Sequence, residues 1–322
     1  MTSNGAVDVG QPTRRAESRC SPTAQRVGST PAGTAGSFQG LFVIERPLPW
    51  PGDATEIDEL RNLRPALKLA AAERRPHRVQ LVLAPPSART EVRVTYHRRT
   101  TDLFGGYVRA GFDVRPDEVG DLCLDLLHGR VADVTGPDRI EVLLCTHGRR
   151  DVCCGASGTA LHTELTRSGL PPGVSLRRTS HTGGHRFAPT ALILPTGTAW
   201  AWLDRRVFTG IVTQTLAPEE AAAHYRGCMG LDGPVVQVVD AALFRERGWA
   251  WLSTPREGEV LSRDDDHAVV RLHHRSLDDG VLRSVRAVVR VARRTPVPRC
   301  GVPLDGSEAE QDDWELVEMA EA

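Results

Sequence analysis

The chain has 322 residues, of which 40% are apolar, and its 40 basic and 41 acidic side chains leave a formal net charge of −1. That length suits one large or two ordinary domains with a sizeable core, the balanced charge leaves no nucleic-acid footprint, and no apolar run approaches the roughly 18–20 residues of a membrane helix. The opening MTSNGAVDVGQPTRR lacks the basic-then-apolar order of a secretory signal, so a cytoplasmic protein without disulfides is expected. Lys68 is the sole lysine, a bias read as genomic composition.

Residues 1–37 are rich in Gly, Ser, Thr, Pro and Ala, which predicts a disordered N-terminal tail and makes Cys20 a surface thiol. LFVIE (41–45) reads as a strand that Pro47, Pro49 and Pro51 stop. Apolar residues recur at helical spacing from Thr55 to Arg75, with Pro65 marking a kink or break. Strands are expected at 78–84, 91–97 and 106–112, then an amphipathic helix at 116–129 that buries Cys123. Residues 38–135 therefore read as an N-terminal α/β domain.

IEVLLC (140–145) is a strand that delivers Cys145, residues 155–169 a helix, 174–180 a strand delivering His181, and 190–203 a hairpin about Pro195, Thr196 and Gly197. Strand, loop, helix, strand, hairpin is the order of the later part of a thioredoxin-like fold. Helical stretches at 217–227 and 235–248, a strand at 249–253 and alternating strands at 267–275 and 281–293 extend this second domain over 136–300. An acidic C-terminal tail, 301–322, holds the short strand WELV. The acidic triplet Asp264 to Asp266 reads as a solvated turn.

The working site is expected in residues 145–189, where CTHGRRDVCCG and RTSHTGGHRFAP gather Cys145, Cys153, Cys154, His147, His181 and His185. Such a density of thiols and imidazoles asks for a metal or redox role. Gly183 and Gly184 make a loop of the interval between His181 and His185, and allow the backbone to come close to whatever the rings hold. Two thiolates with two imidazoles suit tetrahedral Zn²⁺ or a [2Fe–2S] cluster with His₂ in place of Cys₂ on one iron. Eight residues between Cys145 and Cys154 are too many for a zinc knuckle. Neighbouring side chains seldom reach one metal, so one of Cys153 and Cys154 is expected to pack or hydrogen-bond. Cys145–Thr146–His147 matches only half of a Rieske pattern, which leaves His147 as a ligand, a hydrogen-bond partner or a loop histidine.

At these residues the sequence resembles the sucrase/ferredoxin-like family, to which CTHGRRDVCCG and SHTGGHRFAPT correspond. GTAGSFQGLFVIERPLPWPGDA (33–54), HYRGCMGLDGPVVQ and GWAWL (224–252) are similar to further family segments. The resemblance implies a thioredoxin-like [2Fe–2S] ferredoxin domain, preceded by a related α/β domain, with Cys145 and Cys154 on one iron and His181 and His185 on the other. No pair of carboxylates has the placement glycoside hydrolysis requires, so the other activity in the family name is set aside.

The function expected is that of an electron carrier with a Rieske-like [2Fe–2S] cluster, rather than a catalyst on its own. Transfer is expected to couple to a proton on an iron-bound imidazole. A structural zinc protein and a thiol-disulfide oxidoreductase are the alternatives, though the latter chemistry usually shows Cys-x-x-Cys and Cys153 adjoins Cys154. A separate redox reductase or acceptor protein is implied, with neither nucleic acid nor membrane as partner. Arg149, Arg150 and Arg186 would offset cluster charge or steer that partner, and Ser180 and Thr182 would donate to ligand or bridging sulfurs.

Overall fold

The computed structural model describes residues 19–86, 90–99, 103–131, 139–304 and 309–322. Short helix α1 (Cys20–Arg26) comes first. Two stretches then follow one plan. The first runs β1 (Gly40–Arg46), α2 (Leu63–Ala72), β2 (His77–Leu83), β3 (Val92–Arg99), β4 (Tyr107–Val114) and α3 (Val119–Leu127). The second runs β5 (Ile140–Cys145), α4 (Thr159–Ser168), β6 (Val174–Thr179), β7 (Ala191–Leu194), β8 (Thr198–Trp200) and α5 (Arg205–Val212). In each, the first strand pairs parallel with the second and antiparallel with the third, and the third pairs antiparallel with the fourth. The first strands carry continuous apolar runs, Leu41 to Ile44 and Val142 to Leu144, all buried, as strands covered on both faces require.

The two units meet where β2 and β6 pair antiparallel at Val82 and Thr179. One nine-stranded sheet results, in the order β4-β3-β1-β2-β6-β5-β7-β8-β9, with β9 (Tyr225–Cys228) at its far edge. The α/β class is as expected, and the segments read as two domains contribute to this one sheet.

Helices α6 (Pro218–Ala222) and α7 (Pro234–Arg247) lead to an antiparallel sheet of β10 (Arg256–Arg263), β11 (His267–Arg275), β12 (Leu282–Pro296) and β13 (Glu310–Glu321). Helix α7 packs between β9 and this sheet. Its buried Asp240 pairs with Arg256 at 2.6 Å and accepts from the Tyr225 hydroxyl at 2.7 Å and Trp251 Nε1 at 2.8 Å. Ala268, Val270 and Leu272 of β11 alternate into the core. No helix among the described residues is long and apolar enough to cross a membrane.

Several expectations are corrected. Residues 1–18 of the expected tail lie outside the described residues, but residues 19–37 are structured. Cys20 is 0% exposed rather than on the surface, because α1 packs on the turn His185–Phe187 and Ser21 Oγ donates to Ala188 O at 2.6 Å. The 55–75 segment forms two 3₁₀ turns before α2, with Pro65 in the first helical turn, where its missing N–H is no loss. The expected helix 217–227 ends at Ala222, and Tyr225–Cys228 joins the sheet. Trp249–Ser253 is a 3₁₀ helix, not a strand, which turns the Trp251 ring toward Asp240. The acidic tail contains a twelve-residue strand, since Asp312, Asp313 and Glu315 of β13 face Arg294, Arg293 and Arg290 of β12. Strand β10, scarcely buried beyond Arg256, was not anticipated.

Candidate metal centre

Strand β5 ends at Cys145, and the chain returns through a π-helical turn, Cys154–Gly158, into α4. Gly158 permits this return: a Cβ there would lie 2.0 Å from the Cys145 carbonyl oxygen. Asp151 fixes the loop, its Oδ1 accepting the N–H groups of Cys153 at 2.8 Å and Cys154 at 3.2 Å. Beyond β6, residues 180–184 lead to the turn His185–Phe187.

Donor atoms of Cys145, Cys154 and His181 lie within 4.8 Å of one another, with Cys145 Sγ 4.0 Å from His181 Nδ1. Both sulfurs are fully buried, and His181 is half-buried. The His185 ring centre stands 6.2 Å from that of His181, and its Nδ1 lies 3.3 Å from Asp151 Oδ2 and 3.3 Å from Cys20 Sγ. Three of the four expected ligands thus converge, with the fourth beside them. Cys145 is held well below the ordinary thiol pKa by a hydrogen bond from Cys154, which outweighs burial, with His181 adding to it. Cys154 is pushed up by that same bond and by burial.

The backbone of the histidine loop is gripped from several sides. His147 is not in the donor group; it packs edge-on to Trp50, and its Nδ1 accepts the His181 N–H at 3.3 Å. Burial lowers its pKa, which keeps the ring a neutral acceptor. Arg78 and Gln80 of β2 donate to the His181 carbonyl. Arg226 donates to the Gly183 carbonyl at 3.1 Å, to Thr34 O at 2.5 Å and to Thr34 Oγ1 at 3.1 Å. Gly184 has φ +66°, and a Cβ there would lie 2.5 Å from an Arg226 nitrogen. Burial lowers the Arg226 pKa to about 9, still charged at neutral pH.

Thr182 bonds Thr190 at 2.9 Å across the base of the histidine loop, and Ser180 Oγ accepts the Leu81 N–H at 3.0 Å and donates to Gln80 at 3.2 Å across the sheet seam. Arg186 stacks on Phe187 and donates to Gln311, while Arg149 and Arg150 are exposed. Tyr225 belongs to the Asp240 cluster. Cys123 is buried as expected, and burial pushes its thiol up to about 12.

Cys153 points away from Cys154, into a second group with Cys20, Cys300 and Asp151. A hydrogen bond from Cys20 lowers its pKa to about 6. Sequence reasoning had placed Cys20 on the surface and had given Cys300 no role. Asp151 was likewise missed, although its position two residues before the vicinal cysteines is that of a helix-capping carboxylate. Burial pushes the Asp151 carboxyl up, and bonds from His185 and from the Cys154 and Cys153 N–H groups bring it down to about 2.

The sequence model of a family described as Sucrase/ferredoxin-like matches residues 31–227. Altered inheritance of mitochondria protein 32 of Meyerozyma guilliermondii is 36% identical over 83 residues, which are 23% of this chain and 29% of that protein. The chain thus spans well under half the length of that relative. No solved structure matches it.

Proposed function

The chain belongs to the sucrase/ferredoxin-like family, and from that membership we propose that it is an electron-transfer protein in which Cys145, Cys154, His181 and His185 hold a [2Fe–2S] cluster. The convergence of two buried thiols with an imidazole, Cys145, Cys154 and His181 within 4.8 Å, carries this reading. The donor chemistry fits: two soft thiolates on the inner side and two imidazoles on the outer side match a cluster with mixed sulfur and nitrogen ligation. Such a cluster supplies one-electron exchange. The twice-repeated strand order supports assigning a thioredoxin-like scaffold to each unit.

The chain's own residues then have separable tasks. Cys145 and Cys154 supply negative charge from a site closed to water. His181, fixed by the His147, Arg78 and Gln80 bonds to its backbone, presents its ring at a set position. His185 has Nδ1 directed at the Asp151 carboxylate, which leaves Nε2 for a metal and orients the ring as second partners of ligating histidines do. A proton on an imidazole nitrogen that faces away from the metal gives the transferred electron a companion charge. A separate reductase or acceptor protein in the cytoplasm completes the reading.

Protein purified without oxygen decides it. Iron and acid-labile sulfide near two of each per chain, with visible absorption that bleaches on reduction, are expected. A colourless protein containing zinc in place of iron would move the reading to a structural zinc centre, and a metal-free protein with a reducible disulfide would move it to thiol chemistry.

A further inference from the structure

A second set of donors lies behind the proposed iron ligands and meets them at His185, whose Nδ1 is 3.3 Å from Asp151 Oδ2 and from Cys20 Sγ. Cys20 opens α1, Asp151 and Cys153 sit in the loop after β5, and Cys300 follows β12; ligand atoms of all four fall within 4.8 Å of one another. Cys300 Sγ is 3.4 Å from Cys20 Sγ and 3.3 Å from Cys153 Sγ, and Asp151 Oδ2 is 3.6 Å from Cys20 Sγ. Tetrahedral zinc with bonds of about 2.3 Å to thiolates sets sulfur–sulfur edges of about 3.8 Å, so the two edges at Cys300 need to move by only a few tenths of an ångström.

Three further observations fit a cation. Asp151 divides its oxygens: Oδ1 takes the two backbone N–H groups, while Oδ2 faces Cys20 Sγ at 3.6 Å and His185 Nδ1 at 3.3 Å. The Cys20 N–H donates to Cys300 Sγ at 3.4 Å, a bond that favours a thiolate. All three sulfurs are free thiols; a disulfide would use two and strand the third, whereas a soft-ligand cation uses all.

We infer that Cys20, Cys153, Cys300 and Asp151 form a closed, structural zinc site. Four protein ligands leave no open position for a substrate, so its work is cohesion. It joins residues 280 positions apart, and both Cys20 and Cys300 lie outside the family match at 31–227. The ion therefore clamps both flanking segments of the chain onto the loop that carries Cys154. The inference stands apart from the iron reading, because the two metals are counted separately.

The test uses the full-length protein produced with iron and zinc supplied. One zinc per chain is expected in the wild type. His181→Ala should lose iron and keep zinc; the Cys20→Ser/Cys300→Ser double variant should lose zinc and keep iron. Since the double variant also removes packing between chain segments, the wild type gives a second readout. Alkylation of the partly exposed Cys300 by iodoacetamide, followed by mass spectrometry, should accelerate at least about tenfold once a chelator removes zinc, because a zinc-bound thiolate is shielded. Zinc absent from the wild type, zinc retained by the double variant, iron lost in step with zinc, or an alkylation rate indifferent to chelator would each overturn the inference. So would a disulfide joining Cys300 to Cys20 or Cys153 in protein kept free of oxygen.

Discussion

Cys153 and Cys154 are neighbours that serve unlike surroundings. Cys154 meets Cys145 and His181 in a group whose imidazoles reach toward solvent, with His185 25% exposed. Cys153 meets Cys20, Cys300 and Asp151 in a group enclosed by three chain segments distant in sequence. The backbone at Cys153 is helical, φ −65° and ψ −45°, and successive side chains on a helix diverge by about 100°. One peptide unit therefore acts as a partition between a group whose imidazoles are partly exposed and a group in which Cys300 alone is partly exposed.

The sharpest way to break that contrast is to substitute the partition itself. Cys154→Ser, like Cys145→Ser, should abolish iron retention, whereas Cys153→Ser should keep the iron spectrum; metal analysis of the three variants gives the answer, and iron loss in Cys153→Ser alone would reverse the assignment. Exchanging ligand type comes next. His181→Cys or His185→Cys should retain a centre whose potential is lower by on the order of 100 mV, because an anionic ligand stabilises the oxidised state; a rise in a redox titration would argue against histidine ligation.

Smaller effects sharpen the contrast by touching the loop without its ligands. Gly184→Ala places a Cβ against Arg226 at a left-handed residue, and should cost about 1–3 kcal/mol in denaturant unfolding with faster loss of iron. His147→Phe removes the acceptor for the His181 N–H and should cost about 1 kcal/mol, with iron bound but released more readily to a chelator. Neither should change the zinc count, and a parallel loss of both metals would mean that the two groups are one.

The group around Cys154 could be read in the sequence because strand ends deliver its members: IEVLLC stops at Cys145 and VSLRRTS leads to His181. The group around Cys153 could not, because no local pattern links Cys20 to Cys300; α1 and the segment after β12 meet only through tertiary packing. Composition misled at Cys20, where a Gly/Ser/Thr-rich stretch hid a helix that buries one small face. Periodicity failed for β10, whose outward-facing residues give no alternation, and for β9, where Tyr225 and Arg226 continued an apparent helix. The repeated strand plan was only partly visible, since the two units share topology without a fixed sequence period.

Arg226 has a consequence that reaches past the shape of the loop. Its charge is lodged in the interior, 2% exposed, and held by three neutral oxygens from Thr34 and Gly183. In water, dipoles around a redox centre must swing each time its charge changes, and that swing is work done on every transfer. For the proposed cluster, the Gly183 and Thr34 carbonyls are already aimed at the Arg226 cation, so their share of the reorganisation would be settled at folding. A fixed positive charge in a medium of low polarisability also acts at longer range than one at the surface. With no Cβ at position 184, an Arg226 guanidinium nitrogen comes within 2.5 Å of where that atom would lie, against the backbone of the histidine loop.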